Sequence, residues 1–159
     1  MTKRTLSPVL VLAVIVTAVW VGMANWPNGL GRLGIDLYNI LFLDSYAILA
    51  ALDAMRAGMD PHAANALDPL LRYHVYSDWW LALEWTGLGR AQNFIVGLSW
   101  VAAFGIAVCL TARPKTWREA LWLTVILVSP PALLAVVCGN NDLVIFALLG
   151  ACGAALAGN

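Results

Sequence analysis

Two aspartates, Asp36 and Asp142, stand where the chain could carry out chemistry. Asp36 follows the first long apolar run and Asp142 follows the third. If these runs cross a membrane, both carboxylates lie near the same membrane face and can converge when the two helices pack together. Paired carboxylates at one site can divide general-base work from binding or metal work. The same residues have a structural interpretation, in which Asp36 caps a short helix at Leu37 and Asp142 caps the fourth run.

Other polar residues give weaker signals. Arginine side chains of the polar stretch 27–91 suit a phosphate or pyrophosphate, and their alternative role is to pair with the surplus of carboxylates there. His62 and His74 have no recognised metal-ligand spacing, so we predict surface histidines. The cysteines lie within apolar runs, at neither metal-ligand nor disulfide spacing, and are predicted to be small buried hydrophobic residues: Cys109, Cys138 and Cys152.

Several motifs of known chemistry do not occur in the sequence. There is no Gly-rich phosphate loop, Gly-x-Ser-x-Gly, His-Glu-x-x-His or Cys-x-x-Cys pattern. No basic tract indicates a nucleic-acid partner. The apolar runs carry no ionisable residue at their centres, which argues against a proton or ion path.

The composition predicts that membrane helices position these residues. The 159 residues are 62% hydrophobic and only 11% charged, with a mean hydropathy of +0.80, which is too apolar for an ordinary soluble domain. We predict an all-α polytopic membrane protein with about four transmembrane helices, at about 8–26, 92–112, 120–138 and 143–158. A secretory signal is the alternative for the first run, although its length favours an uncleaved helix.

Basic residues set the expected orientation. Lys3 and Arg4 precede the first run, and a short basic loop with Lys115 follows the second. The positive-inside rule places both segments in the cytoplasm, so the amino terminus is predicted to be cytoplasmic. The loop 27–91 and the later Gly-Asn-Asn-Asp turn are then both outside, in a single membrane domain spanning 1–159.

The external loop is predicted to contain a surface helix. It begins at Asp44 or Ser45 and runs to about Ala57, with Gly58 closing it and Asp60-Pro61 preventing its continuation. A short amphipathic helix next to a membrane span most simply lies along the bilayer surface. Its apolar side is Ile48, Leu52, Met55 and Met59, and its polar side is Ser45, Asp53 and Arg56.

The return of the loop toward the membrane is aromatic. Tyr73, Tyr76, Trp79 and Trp80 are typical of an interfacial belt, with rings at the depth of the lipid headgroups. The alternative is that these rings also stack on a sugar or a prenyl chain. Both roles are compatible with one another.

The last two runs carry packing signals. Ser129-Pro130-Pro131 is predicted to kink the third helix or end it early. In the fourth run, Gly150 with Ala154 and Gly153 with Ala157 are spaced for close helix packing. This run is barely long enough to span a bilayer and lacks an anchoring residue, so we expect further helices or subunits to cover its Gly/Ala face, and an incomplete module.

The order of these features resembles the amino-terminal part of GT-C fold glycosyltransferases. The resemblance rests on an external loop opening with Asp36 and Tyr38, a helix ending in Gly-x-Asp-Pro at Gly58 to Pro61, a Tyr/Trp-rich return, and the external Gly-Asn-Asn-Asp-Leu at Gly139 to Leu143. It is closest to bacterial integral membrane mannosyl- or arabinosyltransferase-like proteins that use polyprenyl-phosphate sugars.

That resemblance implies a function and a set of site residues. A sugar would pass from a polyprenyl-phosphate donor to an extracytoplasmic acceptor, with inversion at the anomeric carbon. Asp36 would activate the acceptor hydroxyl, and the substrate-binding residues would be Asp142, Tyr38, Arg72, Arg90 and Asn141. No cofactor is implied, and a divalent metal is left open. The location would be the bacterial inner membrane.

Two other functions are compatible with the sequence. One is a small non-enzymatic membrane scaffold or assembly subunit, in which Asp36 and Asp142 only cap helices. The other is a transporter fragment, which the lack of polar midplane residues and of an inverted repeat disfavours. Family members also have many more membrane helices, so the resemblance implies that the chain is a truncated product, a fragment or a split subunit, and we expect it to be inactive in isolation.

Overall fold

The chain folds into helices joined by short turns and one long irregular segment. A computed structural model describes residues 16–18, 22, 40–112 and 114–157, and no β-strand occurs within these ranges. The predicted all-α class is confirmed. The helices are α1 (Leu43–Arg56), α2 (Asn93–Ala112), α3 (Trp117–Leu127), α4 (Pro130–Cys138) and α5 (Asp142–Ala157), with 3-10 helices at Leu81–Thr86 and Arg90–Gln92.

One helix of the described residues is long and apolar enough to cross a membrane. It runs from Arg90 to Ala112 and contains the predicted second span. The pair α3 and α4 passes the same test together but bends by 59° between its halves, and α5 is a shorter apolar helix. In the predicted first span, residues 16–18 and 22 are described and are helical. The four-span arrangement therefore stays a prediction.

The bend between α3 and α4 lies at the predicted prolines. α3 ends at Leu127, and α4 begins at Pro130 after an extended Ser129. Proline has no N–H to donate to the preceding turn, but it fits the first turn of a new helix, where that N–H has no intrahelical partner. The predicted kink is thereby confirmed.

Helix α1 ends as predicted but begins with a different residue. Gly58 has a positive φ of 73°, its amide donates to the Met55 carbonyl, and the Met59 amide donates to Ala54, as in a Schellman turn. At the other end the N-cap is Phe42, with φ 61° and no side-chain cap. The predicted cap by Asp44 or Ser45 is wrong.

Tertiary contacts explain this unusual start. The Phe42 amide donates to the Val137 carbonyl at 2.9 Å, which ties the start of α1 to α4. A Cβ atom on Gly97 would overlap the Phe42 ring, and one on Gly139 would lie 3.0 Å from the Phe42 Cβ atom and 3.1 Å from its ring. The ring therefore occupies the space that two glycines leave open, and this packing holds Phe42 in a left-handed conformation that a large residue seldom adopts.

Helix α1 is more enclosed than the predicted surface helix. Ser45, on its expected polar side, has no exposed surface, and its hydroxyl lies 2.7 Å from the Asn93 side-chain oxygen in α2. Leu49, Ala51 and Leu52 form a core with Leu81 of the first 3-10 helix. The helix is thus buried between α2 and the loop return, rather than resting on one apolar face.

Helices α2 and α5 pack closely through small residues. A Cβ on Gly150 would lie 3.3 Å from the Thr111 side chain and 3.4 Å from the Ala107 side chain. Gly153 faces open space, with no described atom within 4 Å of its added Cβ. Of the predicted Gly/Ala positions, Gly150 is packed within the chain, whereas Ala154 is exposed. Among the cysteines, Cys109 and Cys138 are half-buried and Cys152 is exposed, so burial of Cys152 was a wrong expectation.

Candidate functional site

The loop return is held against α1 by a buried ion pair. The Arg72 guanidinium donates through Nε and Nη2 to the Asp68 carboxylate, at 3.1 Å and 2.8 Å. Asp68 is almost completely buried, and its Oδ1 also accepts the Leu70 amide at 2.8 Å. Arg72 Nη2 further donates to the Leu43 carbonyl at 2.8 Å. This fork fixes the direction of the Arg72 side chain at the start of α1.

Asp44 lies where three distant segments of the chain meet. Its Oδ1 is 3.6 Å from Arg72 Nη1, and its Oδ2 accepts a hydrogen bond from Asn140 Nδ2 at 3.2 Å. Tyr76 also acts on this carboxylate as a hydrogen-bond donor would, lowering the pKa of Asp44. The group therefore joins α1, the loop return and the turn between α4 and α5. About a fifth of its side chain, 21%, is exposed.

The surroundings raise the pKa of Asp44. Burial is the largest cause, and the nearby negative charge of Asp142 acts in the same direction. Arg72 and the hydrogen bonds from Tyr76 and Asn140 oppose these effects without cancelling them. Burial and the charge of Asp44 in turn raise the pKa of Tyr76, so its hydroxyl keeps its proton and donates. A partly accessible carboxyl with a raised pKa suits general acid–base chemistry.

Asp142 is beside this site but does not cap its helix. It is the exposed first residue of α5, and its amide donates to Asn140 Oδ1 at 2.9 Å. The Asn141 carbonyl accepts the amides of Val144 and Ile145, which continues the first turn. The predicted N-cap role of Asp142 is therefore wrong. Its carboxylate instead adds negative charge close to Asp44 and to the positive end of α5.

Arg90 connects α1 to the start of α2. Its Nε donates to Asp53 Oδ2 at 2.7 Å, its amide donates to the same oxygen at 3.1 Å, and its Nη1 donates to the Leu67 carbonyl at 3.0 Å. Burial acts to raise the pKa of Asp53, but hydrogen bonds from Arg90 and Arg56 lower it below its usual value. Pairing with loop carboxylates thus describes both Arg72 and Arg90.

The two histidines differ in burial. His62 is exposed, as predicted, whereas His74 is only 6% exposed, so the prediction of a surface histidine is wrong for His74. The backbone at Pro61 lies next to His74, and the His74 amide donates to the Pro61 carbonyl at 2.8 Å. Within residues 16–18, 22, 40–112 and 114–157, no three His, Cys, Asp or Glu side chains are grouped to hold a metal ion.

The predicted aromatic belt divides into outward and inward rings. Tyr73 and Trp79 are exposed, Trp79 at 85%. Tyr76 turns toward Asp44, and the Trp80 ring packs against Trp100 with 5.0 Å between ring centroids. Only the outward rings have the exposure that an interfacial belt requires.

Sequence reasoning missed the residues at the centre of this site. Asp44 was expected to cap a helix, Tyr76 to lie in a membrane belt, and Asn140 only to form a turn. One usable signal was present: Asp44 is a single carboxylate inside the apolar stretch 40–52. Asp36 and Tyr38 lie outside the residues that the structure describes.

Comparison with known proteins adds no relative. No family model, no curated protein and no solved structure matches this chain.

Proposed function

We propose that the chain is the amino-terminal part of a GT-C type integral membrane glycosyltransferase. The complete enzyme transfers a sugar from a polyprenyl-phosphate donor to an acceptor outside the cytoplasm, and this chain carries out that reaction together with its further helices or subunits. The observation that carries this proposal is the environment of Asp44. A partly exposed carboxyl with a raised pKa, contacted by Arg72 and Asn140, is what activation of a hydroxyl acceptor needs.

The proposed reaction is a single displacement. Asp44 takes the proton of the acceptor hydroxyl while its oxygen attacks the anomeric carbon. The bond from that carbon to the phosphate oxygen breaks, the configuration inverts, and polyprenyl phosphate leaves with the electron pair. Arg72 supplies positive charge next to Asp44, which favours the leaving phosphate. Asp36 is the second candidate base, and Tyr38 lies two residues after it. Asn141 and Asp142 adjoin the site at the start of α5.

The exposed apolar surface of one helix supports the proposed membrane insertion. A core helix of a soluble protein is mostly buried, whereas only 17% of the apolar window in Arg90–Ala112 is buried within the chain. Its exposed surface includes Ile95, Leu98 and Ile106. Lipid covers such a face. We place the chain in the bacterial inner membrane with four spans and a cytoplasmic amino terminus, and further helices or subunits cover the Gly153 side of α5.

Orientation can be measured by cysteine labelling in whole cells. The native cysteines are replaced, and Ala63→Cys or Lys115→Cys then introduces a single exposed thiol. A membrane-impermeant maleimide should label position 63 in intact cells and position 115 only after lysis. Recovery of the chain in the soluble fraction, or the reverse labelling pattern, would contradict the membrane assignment.

Donor turnover tests the reaction itself. Full-length chain in bacterial membranes is supplied with radiolabelled polyprenyl-phosphate mannose or arabinose, and transfer of label from the lipid is followed. Asp44→Asn should lower transfer by about 100-fold or more, because a general base contributes on this order. Asp36→Asn tests the second candidate base, and Asp60→Asn, an exposed carboxylate of the same loop, is the matched control.

Binding makes the same test independent of turnover. The purified chain in lipid nanodiscs is titrated with each labelled donor, and saturable binding is expected. The proposal fails if wild-type chain neither binds nor turns over either donor. It also fails in its assignment of Asp44 if Asp44→Asn and Asp60→Asn behave alike.

A non-enzymatic scaffold is the second candidate. The observation that favours it is that Arg72 and Arg90 are both engaged by loop carboxylates, as structural residues would be. In that case, Asp44 serves only to join α1 to the Asn140 turn. The chain would then bind no donor, and Asp44→Asn would change association with partner subunits instead.

A further inference from the structure

His74 lies at the centre of the folded loop return. Its backbone amide closes the segment 61–74 by donating to the Pro61 carbonyl. Its ring packs edge-on against His62, with 5.8 Å between centroids, and against Tyr76, with 6.0 Å. The ring therefore contacts residues near both ends of the folded segment.

The hydrogen bonds of His74 define its neutral form. Nε2 lies 3.3 Å from the Ser77 carbonyl oxygen, which can only accept, so Nε2 carries the hydrogen. Nδ1 then bears the lone pair in the neutral ring. It is buried, and no described residue forms a hydrogen bond with it. A second proton would have to enter at Nδ1, where the described part of the chain offers no acceptor, and a buried charge without a partner is strongly disfavoured.

Tyr76 connects this ring to the candidate site. It contacts His74 through its own ring, and its hydroxyl and the Asp44 carboxyl shift each other's pKa. Both residues belong to the same irregular segment, with no helix or strand between them. A movement that expels the His74 ring must therefore shift Tyr76.

We propose that His74 is a proton-sensitive positioning residue: when its ring gains a second proton, the segment 61–77 opens and Tyr76 withdraws from Asp44. Opening of the segment stands on the geometry alone. Its consequence for catalysis rests on the function proposed for Asp44.

Charged neighbours set the direction of the pH dependence. Burial lowers the pKa of His74, and a positive charge on His62 acts in the same direction. The Ser77 carbonyl and the carboxylate of Asp78, which is 3.6 Å from His62 Nε2, act in the opposite direction without reversing the shift. A histidine whose folded-state pKa is lowered makes its full contribution to stability at a pH above the ordinary pKa of 6.5. This contribution decreases as the pH falls below that value.

Hydrogen–deuterium exchange of the His74 amide measures the opening directly. The full chain in lipid nanodiscs is followed from pH 8 to pH 5, with exchange corrected for its intrinsic pH dependence. Opening should increase below about pH 6.5, at up to about tenfold per pH unit, because one proton is taken up. A flat corrected profile in the wild-type chain would overturn the proposal.

Matched variants separate His74 from the rest of the loop. His74→Gln retains a donor for the Ser77 carbonyl but cannot gain a proton, so its profile should be flat. His62→Gln should retain the rise below about pH 6.5 but make it smaller, since it removes a positive charge that lowers the folded-state pKa of His74. If His74→Gln keeps the wild-type rise, His74 is not the sensor.

Two further readouts complete the test. NMR titration of the His74 ring in the wild-type chain should give a midpoint below 6.5, and a midpoint at or above 6.5 refutes the proposal even if the Gln variant does not fold. Binding of polyprenyl-phosphate mannose should weaken with the same midpoint as opening in wild type and not in His74→Gln. Loss of donor binding at every pH, with the opening intact, would count against the function of Asp44 and not against the His74 sensor.

Discussion

Replacing Arg72 with methionine should destabilise the loop return by about 3 kcal/mol. The side chain of Asp68 is only 1% exposed, so Arg72→Met leaves a buried carboxylate that keeps the Leu70 amide but loses its cation. Breaking a buried pair on one side typically costs 3–5 kcal/mol. We take the lower end because a quarter of the Arg72 side chain, 25%, is exposed and already solvated. The loss corresponds to an increase of about a hundredfold in the opening equilibrium.

The opening is measured by hydrogen exchange at the Leu71 amide, which donates to the Asp68 carbonyl at 2.9 Å. Adding Asp68→Asn to Arg72→Met removes the unpaired charge and should recover most of the loss. Arg118→Met, at an exposed position of α3, is the control and should change stability by less than about 0.5 kcal/mol. The reasoning is refuted if Arg72→Met costs less than about 1 kcal/mol, as an exposed pair would, or if the double variant is no better.

Three further substitutions test the packing, the site and a helix cap. Gly97→Ala should destabilise the protein by about 1–3 kcal/mol in thermal unfolding, because the added Cβ overlaps the Phe42 ring. Gly105→Ala, which faces open space in the same helix, should be neutral or stabilising. Equal effects of the two substitutions would contradict the packing. The stability of Asp44→Asn should increase relative to that of the wild type as the pH rises from about 4 toward 8. The fold favours the neutral carboxyl of Asp44, and the stability that this neutral form contributes is lost above its raised pKa. A relative gain confined to acid pH would contradict this sign. Thr116→Ala should cost about 1 kcal/mol in the same unfolding assay, and no loss would mean that its hydroxyl does not cap α3.

Glycine and proline in the sequence correctly predicted the two helix ends that depend on the backbone preferences of these residues. Gly58 closes α1 because only a residue without Cβ easily takes the positive φ that a Schellman turn requires. The pair Pro130-Pro131 ends α3 because neither residue can donate to the preceding turn. A third local signal was present and was overlooked: Thr116 and Glu119 have the spacing of a capping box, and α3 starts at Trp117, earlier than predicted.

Features set by distant residues could not be predicted in the same way. The start of α1 depends on Gly97 and Gly139, which lie far along the chain and leave space for the Phe42 ring. Ser45 was assigned to a solvent-facing side because serine is polar, yet Asn93 satisfies its hydroxyl inside the fold. The period of a helix identifies its sides but not the partner that covers each of them.

The predicted pairing of Asp36 with Asp142 stays a prediction, because Asp36 lies outside the described residues. Asp142 was paired with Asp36 on chain order alone, whereas the described residues bring Asp142 near Asp44 through the Asn140 turn. Asp44 interrupts an apolar stretch, so folding removes water from it whichever residues surround it, and burial is indeed the largest cause of its raised pKa. An acidic residue inside an apolar run is therefore a stronger indication of a perturbed carboxyl than one in a polar turn. Asp142, exposed at the start of α5, then modulates Asp44 by charge instead of sharing its role.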